Sequence, residues 1–70
     1  MDRLEEMIEE LGALNERLRQ LEDVDYMTAY YKGYSTSGET LEEVKEQMQA
    51  IRNRIERLER QIEDSSGETF

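Results

Sequence analysis

The sequence predicts an all-α protein: an antiparallel two-helix coiled-coil hairpin that assembles with further copies into a four-helix bundle or a higher homo-oligomer. Three observations predict it. Two stretches space their apolar residues alternately three and four apart, a Tyr/Ser/Thr/Gly stretch separates them, and no proline occurs in 70 residues. Alternating three-four spacing is the seam of a coiled coil. Without proline, nothing forces a helix to stop early.

The first stretch runs from Asp2 to Glu22 with Leu4, Met7, Leu11, Leu14, Leu18 and Leu21 on its seam. Asp2 and Glu5 have capping-box spacing, and Ile8 widens the apolar face beside the seam. Between Asp23 and Glu39 the pattern changes. The next heptad positions are Asp25 and Thr28, whereas a shifted register through Val24, Met27 or Thr28, and Tyr31 restores the seam. Such a shift is a stammer, a local overwinding or kink. The expectation is one helix over about 2–32, kinked near 23–25, with Gly33 as its left-handed stop. A loop over 33–39 follows. Thr40 and Glu43 then form a T-x-x-E box, and Leu41, Val44, Met48, Ile51, Ile55, Leu58 and Ile62 continue the spacing over a second helix of about 40–64. Residues 1–64 are one domain and 65–70 a flexible tail, whose terminal Phe70 is a candidate for docking on a partner, although fraying is the plainer reading.

Two helices joined by a short loop fold back antiparallel. Charge agrees: residues 2–10 are rich in Asp and Glu, residues 52–60 carry Arg52, Arg54, Arg57 and Arg60, and the hairpin lays one beside the other. Exposed pairs of this kind select orientation more than they add stability. Two helices enclose no core. Ile8, Ala13, Val24, Met27 and the tyrosines leave apolar surface that self-association would cover.

Composition excludes several functions. With no Cys there are no disulfides or thiolate metal sites, and with no His the commonest metal ligand and neutral-pH base is missing. Catalysis would fall to surface carboxylates with nothing to bury or pair them, so no enzyme, cofactor or metal is expected. A net charge of −9 opposes direct binding to nucleic acid or anionic membranes. No apolar run approaches a membrane span, and the acidic amphipathic start is unlike a signal peptide, so a cytoplasmic protein, cellular or viral, is expected.

Gly33–Thr40 fits the phosphate-binding pattern G-x-x-x-x-G-K-[ST] except at its decisive position, where Glu39 replaces lysine. What survives is a hydroxyl-rich loop leading into a helix N-terminus, which attracts anions but for Glu39, Glu42 and Glu43. The tyrosines are less ordinary. All four, Tyr26, Tyr30, Tyr31 and Tyr34, fall in one nine-residue window around Lys32. They either pack at the bundle's open end or bind something.

Three functions compete. The first is an oligomeric protein-interaction module, an adaptor, scaffold or inhibitor, binding itself and a protein partner. The second is a sequestering protein, cellular or viral, that holds a small nucleotide-like signalling ligand with Tyr26, Tyr30, Tyr31, Lys32, Tyr34, Ser35, Thr36 and Ser37. The third is a nucleic-acid mimic filling an enzyme's basic groove, which the arginine block spoils. The first is preferred.

Overall fold

The computed structural model describes residues 2–67, which form a helical hairpin. Its first arm is α1 (Arg3–Gln20), one π-helical turn (Leu21–Asp25) and α2 (Tyr26–Lys32); its second arm is α3 (Leu41–Gly67). Among the described residues the sole β feature is an isolated antiparallel bridge between Tyr34 and Thr40.

Each helix end has a local cause. Asp2 is extended and its carboxylate accepts from the Leu4 N–H at 3.4 Å, while Glu5 and Glu6 occupy the positive end of the helix dipole. Gly33 stops α2 with φ of 90°, a conformation that costs glycine nothing. Thr40 and Glu43 complete a reciprocal box: the Glu43 N–H donates to Thr40 Oγ1 at 3.3 Å, and the Thr40 N–H and hydroxyl donate to Glu43 Oε1. The far end of α3 departs from expectation. Residues 65–67, assigned above to the tail, are helical. Serine costs a helix only a fraction of a kcal/mol relative to alanine, about 0.5, and with no proline after Asp64 the helix runs on to a glycine. Phe70 lies outside the described residues.

All the seam residues are buried or half-buried in the single hairpin. Met7, Leu21, Val44, Met48 and Leu58 are buried. Leu4, Leu11, Leu14, Leu18, Leu41, Ile51, Ile55 and Ile62 are only half-buried, because one helix covers one side of another. The main core lies near the loop, where Leu21, Ala29, Val44 and Met48 pack together with Leu18, Tyr26, Leu41 and Ile51 against them.

The junction of the first arm corrects the sequence reading twice. The expected overwinding is instead a widened turn, in which the Tyr26 N–H reaches back five residues to the Leu21 carbonyl. The shifted register is also not adopted: Val24, Met27 and Tyr31 face water. The inward residues are Asp25, 7% exposed, and Ala29, 2% exposed. One residue absorbed by the π turn moves the heptad position from Thr28 to Ala29 while Asp25 keeps its place. Two features make this tolerable. Arg17 reaches over from the preceding turns, its Nη1 3.5 Å from Asp25 Oδ2. Ala29 is also small enough to let α2 lie close to α3.

Leu21→Ala and Leu58→Ala each remove a fully buried side chain, and each should cost about 2–5 kcal/mol in urea unfolding. Leu14→Ala, at a half-buried position, should cost clearly less; equal losses at all three would mean the core is not where the burial puts it.

Candidate functional site

The candidate site is the solvent side of α2 and the loop that follows. In α2, Met27 and Tyr31 each stand two residues from the inward Ala29, about 200° round the helix. Val24, Met27, Tyr30 and Tyr31 therefore spread over the side turned away from α3, and all four are exposed. Tyr26 is half-buried at the edge of the core, and its ring lies near-parallel to that of Tyr30, with centroids 6.5 Å apart and planes at 17°. Tyr31 meets Tyr30 edge-on, at 5.4 Å and 87°. Three of the four tyrosines thus form one touching array. Tyr34 lies beyond Gly33 and is exposed beside its bridge to Thr40.

The other residues named for a ligand site do not converge on this array. Lys32 is exposed but sits two residues from Tyr30, about 200° round the helix. Ser35 faces inward and is 1% exposed. Its Oγ accepts from the N–H groups of Ser37 and Glu39, both at 3.2 Å. Its carbonyl accepts from Gly38 N–H at 2.9 Å, and its own N–H donates to the Glu39 carbonyl at 2.7 Å. Ser35 is the hub that closes the loop, and Gly38, with φ of 82°, allows the turn around it. Thr36 and Ser37 are exposed. A phosphate arriving at the loop would find the backbone donors of residues 37–39 already engaged and three glutamates nearby in sequence, Glu39, Glu42 and Glu43. The sequence had marked Ser35 by residue type; its burial was not visible there, because the loop's closure on itself leaves no periodic signal.

Elsewhere the surface is charged. The expected alignment of residues 2–10 with arginines 52–60 is realised at one point, where Arg54 donates to both carboxylate oxygens of Glu10 at 2.8 and 3.3 Å. Arg52 reaches Glu22 instead, and Arg60 pairs with Glu56 on its own helix. A shallow groove of about 480 Å³ lies at the open end of the hairpin, lined by Leu11 and Ile62 with Glu56, Glu59, Arg60 and Glu63, far from the tyrosines. Among the described residues no cluster of carboxylates could hold a metal ion, and no helix is long and apolar enough to cross a membrane. No protein-family model, curated protein or solved structure matches the chain.

Two predictions follow from this geometry. Ser35→Ala strands two loop N–H groups and should cost about 1–3 kcal/mol, with amide exchange rising first at residues 37–39. The Arg54 hydrogen bonds hold the Glu10 carboxyl below its ordinary value and raise Arg54 in turn. Since the folded value is the depressed one, this pair's contribution is present above the unfolded glutamate range and is lost as pH falls through the folded value. In a carbon-detected NMR titration Glu10 should give a midpoint below the ordinary glutamate range, and Arg54→Gln should return it; an unmoved midpoint would refute the pairing.

Proposed function

We propose that the chain is a non-catalytic interaction module: a cytoplasmic, homo-oligomeric helical hairpin serving as adaptor, scaffold or inhibitor, which offers the aromatic side of α2 to a protein partner. The observation that carries this reading is the placement of Val24, Met27, Tyr30 and Tyr31. Met27 and Tyr31 stand opposite the inward face of α2, Tyr30 lies on its flank and Val24 on the π turn before it, and each is at least 44% exposed. The hairpin's own packing makes little use of them. Tyrosine supplies large contact area with few torsions to immobilise, which suits it to recognition surfaces.

Self-association is supported by the half-covered seam and by Ile8, 52% exposed one turn from Leu4 on α1. A second hairpin laid along that side would give a four-helix bundle with coiled-coil-type packing. Sedimentation should report a mass above that of one chain. Ile8→Asp should lower that mass with little loss of helicity, because position 8 is open to water within the single hairpin. A wild type that stays monomeric at high concentration removes self-association from the reading.

If the tyrosines serve recognition and not folding, Tyr30→Ala and Tyr31→Ala should each leave unfolding free energy within about 0.5 kcal/mol of wild type. A larger loss makes them structural and defeats the proposal.

One observation favours a second reading, the sequestering of a small nucleotide-like ligand: the touching rings of Tyr26, Tyr30 and Tyr31 leave aromatic surface open to a flat base. Stacking on one ring is worth about 1–3 kcal/mol. The distance of Lys32 round the helix and the engaged loop N–H groups place this reading second. Calorimetry against mono-, di- and cyclic nucleotides separates the two. Binding that Tyr30→Ala weakens tenfold or more would put the ligand reading first.

A further inference from the structure

We propose that the aromatic side of α2 receives an arginine-bearing segment of a protein partner, with guanidinium groups against the tyrosine rings and the carboxylates of the hairpin's tip around them. The inference rests on the interaction-module reading and adds the chemistry of the partner.

Two independent features select a cation. The first is the array itself. A tyrosine ring presents a negative face, and Tyr30 and Tyr31 are 63% and 76% exposed, with Lys32 about 200° round the helix from Tyr30 and about 100° from Tyr31. The second is the charge of the tip. Between Leu21 and Glu46 the chain carries seven carboxylates, two lysines and no arginine. Asp25, Glu22 and Asp23 pair with Arg17, Arg52 and Arg19, which leaves Glu39, Glu42, Glu43 and Glu46 as the surplus that an approaching partner meets.

The same features weigh against the other occupants. A phosphate group would meet carboxylates, and a second copy docked tip to tip would bring the same acidic surplus to the same place. Arginine fits better than lysine. Its planar, weakly hydrated guanidinium can lie along the near-parallel surfaces of Tyr26 and Tyr30, whereas an ammonium is a compact, strongly hydrated charge. Val24 and Met27 extend the surface with apolar area suited to the arginine's aliphatic stem.

The chain reports on this surface by itself. Every tyrosine lies between residues 26 and 34 and there is no tryptophan, so intrinsic fluorescence reads the tip alone. The full-length protein is titrated with octapeptides alternating leucine with arginine, lysine, citrulline or glutamate. The expected order is arginine, then lysine, then citrulline, with no response to glutamate. The arginine affinity should fall as salt rises. A Tyr30→Leu/Tyr31→Leu double variant keeps apolar surface and drops two rings, and should weaken arginine binding roughly five- to thirtyfold. Unchanged binding to that variant overturns the proposal, because carboxylates alone then suffice. Equal binding of the citrulline peptide also overturns it, and leaves the interaction-module reading standing with an uncharged partner. Fluorescence that changes with protein concentration alone, together with a lower sedimenting mass for the double variant, assigns the face to a second copy. Loss of helicity in the double variant defeats the parent reading, since the rings then serve the fold.

Discussion

The hairpin depends on the contact that Leu21 and Ala29 make with Val44 and Met48. Two helices side by side enclose few side chains, Met7 and Leu58 among them, so a fuller core forms only where a third element joins them. Near the loop it does: the π turn and α2 add their inward residues to the end of α1, and the chain returns directly into α3. The loop holds that end shut through Ser35, whose buried hydroxyl and backbone groups satisfy donors and acceptors that would otherwise face each other unpaired. Away from the loop the arms cover each other on one side only, and the half-buried leucines and isoleucines there are the surface on which assembly would act.

The π turn decides what the rest of the chain presents. A regular helix would have continued inward from Leu21 through Asp25 to Thr28; the register through Val24, Met27 and Tyr31 would have hidden those three. Absorbing one residue rotates α2 by about 100° relative to an uninterrupted helix. Ala29 then meets α3, while the tyrosine array turns outward. The cost is a carboxylate in the seam. Arg17, itself 43% exposed in its side chain, meets Asp25 without being fully desolvated, so the pair avoids the full penalty of a buried ion pair.

This explains which parts of the structure the sequence made legible. Apolar spacing is a property of long regular helices, and α1 and α3 are long and regular; Asp2 and Thr40 mark their starts, and Gly33 the end of α2, with residue types that act locally. The junction was not legible because two registers of similar apolarity competed there, and the choice between them turned on Arg17, eight residues upstream of Asp25. Periodicity counts apolar residues and has no term for a charge satisfied at a distance. Among the arginines of 52–60, Arg54 meets Glu10 as expected, whereas Arg52 and Arg60 pair elsewhere for a related reason: long side chains choose among partners on either helix, and Arg60 found Glu56 four residues away. At the candidate site, the exposure of the tyrosines followed from the register, and the burial of Ser35 from loop closure. Neither leaves a repeat to read.

The charge pattern links the two proposed surfaces. Five arginines, Arg17, Arg19, Arg52, Arg54 and Arg60, each lie within 4 Å of a carboxylate of the same chain. Much of the positive charge is therefore spent inside the hairpin, and an outside partner meets the surplus that makes up the net −9. Such a field acts over roughly a Debye length, about 8 Å at physiological salt, and sets the rate and sign of encounter more than the strength of the complex. Strength has to come from close contact, and the largest open apolar side chains are the tyrosines on α2. On the proposed reading the two scales divide the task. The carboxylates gather cationic segments, and the rings distinguish a flat guanidinium from a hydrated ammonium. An acidic surface without the rings would hold any cation weakly, and the rings without the acid would hold any apolar segment. On that reading it is their combination at one end of the hairpin that would select for arginine.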